Sequence, residues 1–322
     1  MADRVTLDTV LNSTLTRSRK KLIMAVAKAH VLVAWAMANN RVEYESGGHD
    51  ITNPLITGRN PNVAAYQYYD TLPINQTDEF DTISYTWSRV AGTLVISQQE
   101  MDENAGDTKI FDILEKKMMV LEESIKEKFG EYMYGVGAGM DPNGLGILIP
   151  SDPTTGSIGG KSRATNTWMR TSSYDTDGNL NASNIEAFFD DLDLDLKVKD
   201  ERPDVYLVGR NIYRMYRQAV RDKFTIELGA NGGASKKMFD LGFKGVAHNG
   251  TPILYDEDCD VDTMFAINSK YLKLHILRSV NMRVQKLNAP WTVDAMGRRV
   301  VWQGQWCMWR FWRTHARVDN GS

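Results

Sequence analysis

The chain has 322 residues, 42% of them hydrophobic and 25% charged, the composition of a globular protein rather than a disordered one. With 38 basic against 41 acidic side chains the net charge is −3, which excludes a dedicated nucleic-acid binder of the usual strongly basic kind. Two cysteines, Cys259 and Cys307, exclude a disulfide framework and an all-cysteine zinc site.

The first 40 residues read as a basic arm. Arg4, Arg17, Arg19, Lys20, Lys21 and Lys28 stand against Asp3 and Asp8, a net charge of +4. Residues 15–39 hold no Pro or Gly and are rich in Ala, Leu and Met, which predicts a helix ended by Asn39-Asn40. The apolar run from Leu22 to Met37 is interrupted by Lys28 and His30, and a membrane span needs about 20 apolar residues. It predicts a helix packed on protein, with no membrane partner. The first twenty residues are mostly polar, unlike a signal peptide, so the expected product is soluble and cytoplasmic.

Residues 41–106 change character. No lysine lies between Lys28 and Lys109, and three arginines face ten acids, a net charge of −7. Thr82-Ile-Ser-Tyr-Thr-Trp-Ser88 alternates polar and apolar, the period of a half-buried strand. Turn signals crowd between Gly47 and Pro73. The pattern is a long hairpin with an irregular tip and no core of its own nearby in sequence.

Residues 108–134 carry Ile110, Phe111, Leu114, Met118, Leu121, Ile125, Phe129 and Tyr132 at three- and four-residue steps, a long amphipathic helix ended by Gly135, Gly137 and Gly139. Leu114, Leu121 and Ile125 are its expected core residues. Residues 136–275 mix elements. Ser183-Asn-Ile-Glu186 reads as a capping box, Pro203 to Gly209 as a buried strand and Asn211 to Arg221 as a helix. Thr251 to Tyr255 and Thr263 to Asn268 read as strands around a solvated acidic turn. Leu274 to Leu287 and Arg299 to Val318 are strand-like. Trp302, Trp306, Trp309 and Trp312 fall close together there, flanked by Arg298, Arg299, Arg310, Arg313 and Arg317. The tryptophans read as core of a sheet, and the arginines as its wet face, where they would meet nucleic acid weakly.

No motif points to chemistry. Gly135-Val-Gly-Ala-Gly139 follows a helix instead of opening one, so it does not make a dinucleotide loop. Gly229 to Lys237 lacks the Gly-Lys-Ser/Thr order of a phosphate loop. Asp256 to Asp262 lacks the calcium-hand spacing. The five histidines are scattered, and no Gly-x-Ser-x-Gly elbow is present. Neither a catalytic residue, a cofactor nor a metal is expected.

The order of a basic arm, an acidic hairpin, a spine helix, an α/β lobe and terminal strands resembles the major capsid proteins of tailed double-stranded DNA phages. The stretch Asn143-Gly-Leu-Gly-Ile-Leu-Ile149, with Pro153 to Gly160 and Arg163 to Trp168, looks like the segment opening their axial domain. Pro203 to Val208, Tyr213 to Tyr216, Leu241 to Gly245 and Thr251 to Asp256 are similar to the strands and helix that follow it. The resemblance covers roughly residues 40–320.

It implies an α+β Hong Kong 97-type capsid fold. The N-terminal arm would span 1–40, the extended loop 41–90, the peripheral domain 91–135 with 276–322, and the axial domain 136–275. It implies pentamers and hexamers closing an icosahedral shell in the virion, assembled in the host cytoplasm around double-stranded DNA, with scaffolding, portal and decoration proteins as separate partners. No long prodomain precedes the arm, so scaffolding would be a separate chain. Some shells of this fold crosslink through a loop lysine; this loop has none, which implies non-covalent contacts. The alternatives are a cellular encapsulin shell, a nucleotide-dependent enzyme using the mixed lobe, and a minor virion protein.

Overall fold

A computed structural model describes residues 22–26, 28–58, 60–76, 79–103, 107–220, 246–287, 295–312 and 314–321. The arm as far as Lys21, the Gly229 to Lys237 loop, Leu241 to Gly245, Arg313 and the side chain of Leu114 lie outside them.

Residues 22–26 and 28–29 are helical, and α1 follows at Val31–Ala38. His30 between them is extended (φ −114°, ψ 120°), so the single helix expected there is broken. A helix that is apolar all round needs cover on every side. All of α1 except Met37 is buried, together with Leu22 and Val26. The expected packing on protein is thus supplied, for this part of the arm, by its own chain.

β1 (Val42–Glu45), the hairpin strands β2 (Asp50–Ile56) and β3 (Phe80–Thr86), and β4 (Ser88–Ser97) follow. A short α2 (Gln98–Glu103) leads into the spine, α3 (Asp107–Tyr134). Its 28 residues span about 42 Å at 1.5 Å each. β4 joins a five-stranded sheet around the long β14 (Ala295–Met308). β14 pairs with β4 along one edge, from Ala295 opposite Ser97 to Gly304 opposite Ser88. Its other edge takes β13 (Arg283–Leu287) and then β12 (Leu272–Leu277), all antiparallel. β1 closes the sheet parallel to β12. The spine lies across β4 because Gly92 has no side chain: a Cβ there would sit 2.7 Å from Leu121 Cδ1 and 3.2 Å from Ile125 Cδ1.

The lobe begins with α4 (Leu145–Leu148) and a two-stranded β5 (Ser157–Ile158) and β6 (Lys161–Ser162). The phage-like stretch around Asn143 has a physical account. At Gly144 a Cβ would lie 2.3 Å from the Tyr132 carbonyl oxygen, so α4 seats on the spine's last turn only where the chain lacks side chains. Arg163, buried without a carboxylate, donates to the carbonyls of Ile147 (2.6 Å) and Leu148 (3.1 Å) at the end of α4. There its charge meets the negative end of a helix.

β7 (Ser172–Asp175), α5 (Ile185–Leu196), β8 (Val205–Val208), α6 (Arg210–Val220), β9 (Val246–His248), β10 (Thr251–Tyr255) and β11 (Thr263–Ile267) complete the lobe. The C-terminal strand β15 (Ala316–Asp319) joins its six-stranded sheet, which runs β7-β15-β11-β8-β10-β9. It was expected beside the other terminal strands, yet it crosses into the lobe and pairs with β11 and β7. All of β8 is buried because both faces are covered: Val205 and Leu207 join the main core, Tyr206 and Val208 a second core under α5 and α6.

Two local expectations fail. The capping box does not form, because α5 starts one residue later with Asn184 as N-cap, and the Asn184 side chain bonds Asn181 and Asn179 instead. The acidic turn is partly interior. Asp256 is buried and accepts from the Tyr134 hydroxyl (2.7 Å), and Asp258 meets His30 Nδ1 at 2.8 Å. Burial pushes the Asp256 carboxyl above its ordinary pKa range. This polar cluster ties the arm, the spine and the lobe together.

Candidate functional site: the hairpin tip and the basic strands

The hairpin has two unlike halves. At its base β2 and β3 pair from Asp50–Thr86 to Ile56–Phe80. Alternation puts Ile51, Leu55, Ile83 and Tyr85 on one face, and all four are buried against the main core. The Tyr85 hydroxyl donates to the Met308 carbonyl (2.6 Å), and Lys161 pairs with Asp81 (2.7 Å). The base is thus covered by its own chain, from segments distant in sequence.

The tip is not. Between β2 and β3 the described residues form no strand or helix. Asn62 and Asn75 clasp the two sides, with Asn62 Nδ2 donating to the Asn75 carbonyl (2.7 Å) and the Asn75 N–H to Asn62 Oδ1 (3.1 Å). Around that clasp Tyr68 and Tyr69 are 99% and 101% exposed and Ile74 is 91% exposed, with Val63, Tyr66 and Leu72 also exposed. An uncovered apolar group of this size marks an interaction surface. Each tyrosine would bury roughly 150–250 Å² once covered.

The acidity of residues 41–106 is partly neutralised inside the chain. Glu43 pairs with Lys273, Asp81 with Lys161 and Glu100 with Lys117, three lysines from outside the acidic segment. The segment therefore presents less negative charge to solvent than −7 suggests.

The arginines do not form one wet face. Arg298 is 4% exposed, in β14 between Lys286 and Leu94, and this corrects its expected contact with DNA. Arg299, next along β14, points to the exposed side and donates to Gln285 (2.9 Å). Arg310 is paired with Glu201, and Arg317 with Asp319 (2.8 Å). Of the four described arginines in this terminal group, Arg299 alone is exposed without a carboxylate partner. Trp302 and Trp306 are core, as expected, while Trp312 is 41% exposed. Of the spine residues, Ile125 is buried and Leu121 half-buried against the main core.

No family model matches the sequence, and a search of curated proteins returns no match. Solved structures do match. The chain superposes on a subunit of the cyanophage A-1(L) capsid asymmetric unit with a TM-score of 0.65 at 13% identity, covering 89% of this chain and 92% of that one. The capsid of the native GTA particle gives 0.56 at 13% identity, covering 90% of each chain. Mycobacterium phage Bobi gives 0.54 at 11%, covering 88% and 90%. The chain has the Hong Kong 97-type capsid fold. Within that fold the two-sided lobe sheet, the spine on β4 and the projecting hairpin are parts of one architecture. At such low identity the shared fold rests on topology and packing. Among the described residues no helix is long and apolar enough to cross a membrane.

Proposed function

We propose that this chain is a structural virion protein, the major capsid protein of a tailed phage. Copies assemble into pentamers and hexamers that close an icosahedral shell around double-stranded DNA. The observation that carries this is the hairpin tip: six large side chains on a projection with no cover among the described residues of their own chain, within a fold whose solved examples include capsids. The occupant that such a tip needs is the neighbouring subunit, and burial missing from the monomer returns as interface area, as in obligate assemblies.

In this proposal residues 1–40 are the arm, 41–90 the extended loop, 91–135 with 276–322 the peripheral domain, and 136–275 the axial domain. Four strands cross those lines: β1 belongs to the five-stranded sheet and β15 to the lobe, while β4 and β12, both in the five-stranded sheet, straddle the boundaries at 90 and 275. The role is structural rather than catalytic. The shell is assembled in the host cytoplasm, held by non-covalent contacts, and works with separate scaffolding, portal and decoration proteins. Contact with DNA is weak, non-specific and salt-dependent, as counterion release requires; Arg299 is the best placed of Arg298, Arg299, Arg310 and Arg317.

Electron microscopy of the purified chain tests the proposal. Closed particles or five- and six-membered rings are the expected result. A 36.4 kDa monomer persisting at high concentration across salt conditions would overturn it. Shells enclosing a cargo enzyme instead of DNA would make the chain an encapsulin.

A further inference from the structure

Where β1 pairs with β12, three side chains converge on one face of the sheet. The register sets Glu43 directly opposite His275. Glu45, two residues along the same strand, points the same way. The imidazole is almost wholly buried, with its side chain 5% exposed, while both carboxylates are half-exposed. His275 Nδ1 lies 3.3 Å from Glu45 Oε1 and 3.7 Å from Glu43 Oε2. The other Glu43 oxygen, Oε1, is occupied by Lys273 Nζ at 2.5 Å, which leaves Oε2 turned toward the histidine.

The arrangement is poor as hydrogen bonding. At 3.3 Å the closest contact is long for an N–H donor on a carboxylate, and His275 Nε2 is buried with no partner. A neutral imidazole has one N–H and one lone pair. If the proton sits on Nδ1, that long bond is its best contact; Nε2 stays without a partner whichever way the ring is protonated or ligated. If it sits on Nε2, the Nδ1 lone pair confronts two carboxylates. A doubly protonated ring would suit the carboxylates but would bury a charged N–H at Nε2 with no acceptor.

The same arrangement is good as a ligand set. Tetrahedral zinc with bonds of about 2.1 Å separates neighbouring ligand atoms by about 3.4 Å. The contacts of 3.3 and 3.7 Å straddle that edge length, and the three ligand atoms all lie within 4.8 Å of one another. One nitrogen and two carboxylate oxygens suit zinc better than calcium or magnesium, which prefer oxygen alone. The half-exposed carboxylates leave the fourth position open to water.

We infer that Glu43, Glu45 and His275 form a divalent transition-metal site, with zinc the preferred ion, which staples β1 to β12. β1 is the edge strand of the five-stranded sheet and joins α1 to the hairpin, so a cation here would fasten the root of the projecting loop. This inference stands apart from the capsid proposal, because it concerns contacts within one chain.

The test is a titration of the metal-free full-length chain with zinc chloride, by calorimetry and by thermal melting. One ion per chain and a rise in melting temperature are expected. Glu45→Gln, on the half-exposed side, should keep the fold and weaken zinc binding roughly tenfold or more. His275→Ala should abolish binding. His49→Ala should leave it unchanged, since His49 lies outside the cluster beside Asp50. No binding by the wild-type chain, unaltered affinity in Glu45→Gln, or loss of binding in His49→Ala would each overturn the site. Calcium binding tighter than zinc would overturn the transition-metal assignment. If His275→Ala fails to fold, Glu45→Gln alone decides.

Discussion

Two aromatic-rich regions of this chain meet opposite fates. In the lobe, Phe189 is buried among Tyr206, Tyr216 and His248, with ring centroids 5.1, 5.0 and 5.4 Å away. At the hairpin tip, Tyr66, Tyr68 and Tyr69 have no such company and stand in solvent. Aromatic side chains serve both places, so residue type does not decide whether a ring closes a core or waits for a partner. What differs is the backbone around it. The lobe brings sheet and helices to bear on its rings from several directions, while the tip lies beyond the last rung of a two-stranded hairpin.

If that contrast is right, damage to the lobe should cost folding and damage to the tip should cost assembly. The largest effect is expected for Phe189→Ala, about 3–5 kcal/mol of unfolding free energy from lost transfer and the cavity left behind. Chemical denaturation measures it, and an unchanged midpoint would mean that the lobe core is loosely packed.

Acid should produce the next largest effect. His315 is buried where the chain enters β15, and its Nδ1 accepts from the Asn268 N–H at 3.3 Å. Burial pushes its pKa down to about 3 from an ordinary 6.5. The unfolded chain therefore binds the extra proton between those values, so stability rises with pH across about 3 to 6.5 and is lost on acidification through that window. At roughly 1.4 kcal/mol per pH unit the loss amounts to a few kcal/mol. His315→Gln should flatten that part of the stability–pH curve, provided the variant folds.

Leu121→Ala on the spine sits between the two regions. Because Leu121 is only half-buried, the expected cost is about 2 kcal/mol, the low end for such a truncation. A thermal melt checks it; a much larger loss would show that assembly covers the exposed part of the residue. The smallest effect on folding belongs to the tip. Tyr68→Ser with Tyr69→Ser should leave monomer stability within about 0.5 kcal/mol of wild type. The same pair should abolish or greatly weaken particle formation seen by light scattering. A destabilised monomer, or normal particles, would erase the contrast.

Several features of this fold were legible in residue order. Alternation from Thr82 marked β3, and the three- and four-residue spacing through Leu121 and Ile125 marked the spine. The continuous apolar run of Val205 to Val208 marked a strand buried on both faces. Each is a local periodicity, set by backbone geometry within one element. The phage-like glycines near Asn143 were visible as a pattern, but their reason, the contact of Gly144 with the Tyr132 carbonyl, appears only when α4 is laid against the end of α3.

The tertiary structure alone decided which polar residues are interior. Arg298 reads like Arg299 in sequence, yet one is buried and the other exposed, because successive residues of a strand face opposite sides and only packing says which side is covered. His30 finds Asp258 228 residues away, and His275 finds Glu45 across 230. β15 leaves its neighbours in sequence for the other sheet. Local spacing determines whether a segment coils or extends. It carries no record of which distant segment arrives beside it, and that meeting sets burial, charge pairing and the possibility of a metal site.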